Sequence, residues 1–391
     1  MIEVASIEGL PLGEGVSHAA VASCEDVAKA RLREGMNVFW RGDRPIGHVL
    51  VHEGQTTDSK IEHIDANFLA RVDAELQKLS SPRLSASVVI CTRDRPEQLR
   101  ACLSSLPKQS YPPREIIVVD NASRDQRTRD VAWAAGVTYV REDRQGLSFA
   151  RNTGMRLATS DIVAFTDDDV LLHPRWLEHL ILAFDAPQIS AVMGLVLPAE
   201  LATESQRHFE TYWSFGRGYR EQDFDSPRFK SLAVFPAWEI GAGASMALHR
   251  EVFQSVGLFD ERLGAGQAGC SEDSEYWYRL LAQGYTCRYA PASVAFHFHR
   301  TTTEGLASQI YQYMRGHAAA LLVQYERTGI AANRLQAYYH GPRWYLHRVL
   351  SKLLGRHNTG NRFLRDNRFL KEEIAGYFAG LLFYHRQRNR Q

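Results

Sequence analysis

Asp161-Ile-Val-Ala-Phe-Thr-Asp167-Asp168-Asp169-Val170 is the stretch from which the 391-residue chain reads outward. Ile162 to Phe165 has the unbroken apolar character of a buried strand, and three carboxylates follow at its carboxyl end. Adjacent like charges repel, and an apolar core does nothing to offset them. A divalent cation among them resolves the conflict. Hard ions such as Mg2+ and Mn2+ take oxygen ligands and often bridge protein carboxylates to substrate phosphates. Ligands of open α/β sheets also gather at such strand ends. For the triplet alone, the other reading is a solvated acidic turn, or a helix start with acids on its positive end.

Ser87-Val-Val-Ile-Cys91 is a second buried-strand run, followed by the polar loop Thr92-Arg-Asp-Arg-Pro96, whose proline suits a first helical turn. Leu99, Cys102, Leu103 and Leu106 then recur at helical spacing. Glu115-Ile-Ile-Val-Val-Asp120 is a strand ending in a carboxylate, and Val137-Thr-Tyr-Val140 is a shorter one after a helical segment. Strand, helix, strand at this spacing implies βαβ units and a parallel sheet, with all the strand-end loops on one edge. Asp120 can there accept from a nucleobase N–H or a ribose hydroxyl, or cap the next helix. Gly146 opens a helix running to Leu157, on which Arg151 suits a pyrophosphate or is a surface arginine. The chain is read as lacking a Gly-x-Gly-x-x-Gly dinucleotide fingerprint and a P-loop, which argues against a nicotinamide enzyme and a P-loop NTPase.

Taken together, Val88-Val-Ile-Cys-Thr92, Val118-Val-Asp-Asn-Ala-Ser123, Gly146 with Ala150-Arg-Asn-Thr-Gly154, and Phe165-Thr-Asp-Asp-Asp169 resemble family 2 glycosyltransferases. The resemblance implies an inverting enzyme of the GT-A fold, a three-layer α/β/α domain related to the Rossmann fold, using a nucleotide-sugar donor, a UDP-sugar above all. It implies that Thr92, Arg93, Asp94, Asp120, Asn121, Gly146, Arg151, Asp167 and Asp168 face the donor. Asp167 and Asp169 would hold Mn2+ or Mg2+ in an Asp-x-Asp motif.

The second half continues the match. Trp176 to Phe184 reads as an amphipathic helix and Ile189 to Gly194 as a strand, while residues 199–235 show little period and read as a variable excursion near the acceptor. Trp238-Glu-Ile-Gly-Ala-Gly-Ala-Ser-Met-Ala247 resembles the family's glycine-rich strand beside the sugar, which implies sugar or acceptor contacts for Trp238, Glu239 and Gly243. Glu272-Asp273 resembles its acidic segment, making Asp273 the catalytic base with Glu272 next in line. Ser271-Glu-Asp-Ser-Glu275 also fits an acid-rich helix start capped by Ser271. Tyr285–Tyr289 and Ser293–Phe298 read as two short strands leading to His297 and His299, which alternation places on one face. One of the two, His297 by preference, would complete the metal shell, or both are ordinary strand histidines.

Before this core, residues 1–82 read as a separate small β-rich unit: a hairpin turning at Gly42-Asp-Arg-Pro45, then a helix over 61–79. His18, His48, His52 and His63 share no metal-ligand spacing. Residues 83–300 form the catalytic domain and 301–391 a helical, basic region. In that region Arg343, Arg348, Lys352, Arg356, Arg362, Arg365, Arg368, Lys371, Arg386, Arg388 and Arg390 face only Asp366, Glu372 and Glu373. Its run Ile374–Tyr384 is too short to span a bilayer and suits an amphipathic helix on an anionic membrane, where a lipid-linked or other glycan acceptor is presented, or a helix packed on the domain or a second subunit.

A net charge of +1 gives no general reason to expect nucleic acid. No apolar run approaches the roughly 20 residues of a membrane span. Met1 to Glu8 lacks the basic start and apolar run of a signal peptide. Cys24, Cys91, Cys102, Cys270 and Cys287 are scattered without a Cys-x-x-Cys pair, which points to a reducing cytosol, with peripheral attachment to the cytoplasmic face of a membrane as the extension. Two alternatives stand beside the transferase: a nucleotidyltransferase, although the Thr92–Pro96 loop has no glycine, and a non-catalytic sugar-binding or scaffold protein on the same fold.

Overall fold

The computed structural model describes residues 13–59, 61, 64–77, 82–354 and 367–389. The amino-terminal stretch, His63, the last residues of the expected 61–79 helix, and Arg356, Arg362, Arg365, Asp366 and Arg390 lie outside those residues.

The chain begins with a four-stranded sheet in the order β1 (Val16–Ala20), β2 (Gly35–Arg41), β3 (Arg44–His52), β4 (Gln55–Ser59). Helix α1 (Cys24–Lys29) lies between its first two strands and α2 (Ala66–Gln77) follows its last. Arg41 pairs with Arg44, leaving Gly42-Asp43 as a two-residue turn with Gly42 at φ +61. The sheet is separate in hydrogen bonding but not in packing. Trp40 is fully buried, donates from Nε1 to His18 Nδ1 at 3.0 Å and stacks on His173 of the main domain at 5.5 Å. Asp43 is ion-paired with Arg175, and His48 Nδ1 meets Tyr219 Oη at 2.7 Å. One apolar cluster runs from Val38 and Phe68 through to Val89 and Met193. The expectation of a self-contained unit is corrected in this respect.

The main sheet is built from βαβ units as the apolar runs imply. They are β5 (Ala86–Thr92), α3 (Pro96–Ser105), β6 (Glu115–Asp120), α4 (Arg127–Ala134), β7 (Thr138–Arg141), α5 (Leu147–Leu157) and β8 (Ile162–Asp167). Strands β5, β6, β7 and β8 are parallel. After β9 (Val170–Leu172) and α6 (Trp176–Leu182), the sheet extends through β10 (Ile189–Pro198), antiparallel β12 (Ser245–His249) and β13 (Thr286–His297), with β11 (Gln222–Phe224) at its edge. The two expected late strands are one strand. A register shift opposite Gly194/Leu195 absorbs the residues around Pro291, so the proline does not end it. The supposedly unperiodic 199–235 contains α7 (Glu204–Trp213) and α8 (Ser226–Lys230).

Helices α9 (Val252–Val256) and α10 (Glu272–Ala282) precede β13, and three more follow it: α11 (Thr303–Thr328), α12 (Ala331–Leu335) and α13 (Gly341–Leu353), the last two joined by a π turn. The final described helix, α14 (Leu370–Arg388), runs along α11. Its glycines are the reason it can. A Cβ on Gly376 would lie 2.3 Å from Tyr311 O, and one on Gly380 2.2 Å from Arg315 O. Glycine costs about 1 kcal/mol in a helix interior, which this close approach offsets with packing of Tyr377, Leu381 and Tyr384. The apolar run expected to face a membrane is thus largely turned inward, leaving Phe378 and Leu382 outside.

Candidate active site

The parallel strands end within a residue of one another. Thr92 pairs with Asp120, and Cys91 with both Val119 and Asp167, so Asp167 stands one residue short of the Thr92–Asp120 row at the shared carboxyl edge of β5, β6 and β8. A cavity of about 1610 Å3 opens there and extends to Trp238, His317 and Trp344.

Countercharge for the triplet comes from Arg95, a loop residue for which spacing alone predicts nothing. Its Nη1 donates to Asp168 Oδ1 at 3.0 Å and to Asp169 Oδ2 at 2.8 Å, while Thr92 Oγ1 donates to Asp168 Oδ2 at 2.7 Å. Burial, then the neighbouring Asp169, raise the Asp168 carboxyl to about 6 against the pull of Arg95. Burial acts the same way on Asp169, but His297 and Arg95 outweigh it and hold that group well below the usual carboxylate range. Asp169 is the ionised member of the pair.

His297, at the end of β13, brings Nε2 to 3.4 Å from Asp169 Oδ1. Behind it, Nδ1 lies 3.0 Å from Nδ1 of His299, whose Nε2 lies 3.1 Å from Glu210 on α7. The direction of this chain follows from its end. Burial tends to raise Glu210, yet its bonds to His299 and Ser214 leave it lowered and therefore accepting. His299 Nε2 then carries the proton. Burial lowers the His299 pKa and keeps the ring neutral, so its Nδ1 accepts from His297 Nδ1–H. That leaves His297 Nε2 facing Asp169, where a proton or a cation can stand between them. Alternation was right that the two histidines share a face, but only His297 reaches the carboxylates.

Arg151 is neither on the surface nor free for a phosphate. Its side chain is 3% exposed; Nη1 donates to Glu272 Oε1 at 2.8 Å and Nη2 reaches Asp167 Oδ1 at 3.4 Å. Burial raises the Glu272 carboxyl, and Arg151 only partly offsets this. Asp273 is held differently: Oδ2 accepts from Gly243 N at 2.8 Å and Oδ1 from Ser274 N at 2.6 Å. A Cβ on Gly243 would lie 2.8 Å from that Oδ2 and 2.9 Å from Arg151 Nη2, so glycine is required there. Ser271 does not cap α10; it sits at φ +71 and its side chain makes no capping bond. The glycine-rich run 238–247 is mostly a loop, with Ala237–Glu239 a 3-10 turn and the strand starting only at Ser245.

Thr92, Arg93, Asn121, Arg151, Asp167, Asp168, Asp169, Trp238, Glu239, Gly243, Glu272, Asp273 and His297 all line the cavity. Four expected residues stand behind it. Asp120 is fully buried and accepts from Ser123 N and Tyr139 Oη, both at 2.9 Å. Asp94, at φ +56, pairs with Arg124; Gly146 N donates to Asn121 Oδ1 at 2.8 Å; His299 is the link described above. One reading is corrected outright: Gly264-Ala-Gly-Gln-Ala-Gly269 does have the Gly-x-Gly-x-x-Gly spacing. It lies between Leu263 and α10 rather than between a strand and a helix, with φ of +90, +85 and +120 at its glycines, and Ala265 and Gly266 wall the cavity.

The donor set fits a hard divalent cation in part. Asp169 and His297 present two facing lone-pair groups, which repel unless a cation or proton stands between them. Among the described residues no three His, Cys, Asp or Glu side chains close on one point; Asp169 and His297 are the two that would hold a cation.

Residues 87–257 match the family described as glycosyl transferase family 2. The Haloferax volcanii glucosyl-dolichyl phosphate glucuronosyltransferase is 28% identical over 189 residues, 46% of this chain and 58% of that protein. The validoxylamine A glucosyltransferase of Streptomyces hygroscopicus subsp. limoneus is 30% identical over 225 residues, 51% of this chain and 48% of that one. The chain thus spans about half the length of these curated relatives. In fold, the mannosyltransferase from Pyrobaculum calidifontis, solved with GDP-Man and Mn2+, superposes with a TM-score of 0.50 at 18% identity, covering 81% of this chain and 94% of that one. Residues 87–257 thus resemble glycosyl transferase family 2, and the sheet has the GT-A fold of that mannosyltransferase.

Proposed function

We propose that the protein transfers a sugar from a nucleotide-sugar donor, a UDP-sugar by the family resemblance, to a hydroxyl acceptor with inversion and with a divalent cation. The observation that carries this reading is the meeting of Asp169, His297 and Asp273 in one cavity at the level strand ends. Asp169 and His297 would hold the cation, whose positive charge stabilises the departing diphosphate. Arg95 neutralises Asp168 and Asp169 when no cation does. Arg151 ties Asp167 to Glu272 and thereby fixes the β8 end against the α10 start. Asp273, whose hydrogen bonds come from two backbone N–H groups and the Ser274 hydroxyl rather than from a cation, takes the acceptor proton while the hydroxyl attacks the anomeric carbon from the side opposite the diphosphate. The positive-φ loop 264–269 lets backbone approach the sugar without side chains intervening. Asp120 supports the nucleoside side by closing the Asn121–Ser123 turn.

Nucleotide release from a panel of UDP- and GDP-sugars, with Mn2+ or chelator, tests the reading. Cation-dependent release from a nucleotide sugar supports it. Release from none of them, with no nucleotide binding, would return the chain to the scaffold reading.

A further inference from the structure

Beside the cavity, α13 and the residue after it present an apolar surface to solvent. On α13, Tyr345 and Arg348 face inward, while Leu346, Leu350, Leu353 and Leu354 are 59, 48, 77 and 66% exposed. Tyr338, Tyr339 and Trp344 precede them and are also exposed. Trp344 belongs to both surfaces, since it lines the same cavity as Asp169 and Asp273. A bond of 2.6 Å between Tyr338 Oη and His385 Nε2 joins this flank to α14, whose outer side adds Leu382. So many leucines in water need a partner.

The charge around them says which. From Arg327 to Leu354 the sequence contains no Asp or Glu, while Arg343 and Lys352 lie exposed among the leucines. The one inward-facing arginine, Arg348, is taken up by Glu373. We propose that this flank docks on an anionic lipid surface, turning the cavity mouth toward the lipid so that an amphiphilic acceptor enters past Trp344. The acceptor half of this statement rests on the transfer reading above. Leucines entering the interface, aromatic rings at headgroup level and basic side chains toward anionic lipid are the features of interfacial binding. A second copy of the chain fits less well, because a two-fold seam would set these basic side chains against one another. No described helix is long and apolar enough to cross a membrane, so attachment by the described residues is peripheral.

Sedimentation of the full chain with vesicles tests it. The vesicles are phosphatidylcholine alone or with phosphatidylglycerol, each at low and high salt. Binding to the anionic vesicles should exceed binding to neutral ones by about 10-fold and fall several-fold with salt. A Leu346→Ser, Leu350→Ser, Leu353→Ser triple variant and an Arg343→Gln, Lys352→Gln double variant should each lose about 10-fold. Their melting temperatures and Mn2+-dependent UDP binding should stay as in the parent. Three results would overturn the proposal: no sedimentation of the parent with anionic vesicles, sedimentation of both variants equal to the parent's, or a parent dimer that the leucine variant turns into monomer. UDP binding is read on the same samples. Its loss in the parent strikes the transfer reading, whereas its retention without vesicle binding strikes the docking alone.

Discussion

Asp167–Asp169 at the end of β8 and Glu272–Asp273 at the start of α10 are alike in composition and are tied together by Arg151, but their countercharges differ. The strand-end group has Arg95 across two carboxylates and an imidazole nitrogen facing Asp169. The helix-start group gives Glu272 the buried guanidinium and leaves Asp273 with hydrogen bonds from Gly243 N, Ser274 N and the Ser274 hydroxyl. On the proposed reading, the carboxylate kept ionised beside an imidazole nitrogen takes the cation. On the same reading, the carboxylate with no cation of its own takes the proton. Sequence composition does not separate the two tasks; the neighbours do.

The largest effect should come from removing the proposed proton acceptor. Asp273→Asn keeps the hydrogen-bonded shape and loses basicity, so turnover should fall by at least about 100-fold with nucleotide affinity nearly unchanged. Steady-state rates and UDP calorimetry on the same variant check this. If Glu272→Gln instead gives that pattern and Asp273→Asn turns over normally, the two roles are exchanged.

A smaller effect sharpens the other side of the comparison. Glu210 lies outside the cavity lining; it bonds to His299, which bonds to His297. Glu210→Leu should weaken Mn2+ binding about 10-fold, the lower range for groups that orient a ligand from behind. Glu210→Gln still accepts from His299 and should restore most of the affinity. Equal loss in both would mean that the charge of Glu210, not its hydrogen bond, is what matters. Mn2+ titration followed by electron paramagnetic resonance, without donor or acceptor, reads this directly.

The smallest effect is a pH dependence. The Asp168 carboxyl is raised from 3.8 to about 6 in the fold. The stability this lends the metal-free protein is complete below the unfolded value and is lost as pH rises through about 6. Above that pH the added negative charge favours a cation. The rise in melting temperature caused by Mn2+ should therefore be larger at pH 7.5 than at pH 5, and Asp168→Asn should flatten the difference. A gain that is greater at pH 5 would place the titrating group elsewhere.

How far the sequence can be read follows from what each segment buries. Strands β5, β6 and β8 are covered on both faces, so their apolar runs are continuous and legible, and their parallel register brings Thr92 level with Asp120 and Cys91 level with Asp167. Helix α7 is not legible, because three of the four residues it buries are Ser205, Gln206 and Glu210, which break the apolar period. For the same reason Glu210 escapes notice: its value lies in a histidine 89 residues away. Arg151 shows the converse: the sequence offers it to a pyrophosphate, but in the fold it is turned to Asp167 and Glu272. In α14 the apolar run fits a membrane or a protein surface equally well, and the Gly376 and Gly380 contacts with α11 decide it.

Calorimetry of UDP with Mn2+, and again with chelator, on the parent and on Asp169→Asn, tests the central claim that Asp169 and His297 hold a cation for a nucleotide diphosphate. The account predicts tight binding by the parent with Mn2+, weak binding with chelator, and an Asp169→Asn variant that behaves as if chelator were always present. Equal affinity in all four titrations would contradict it.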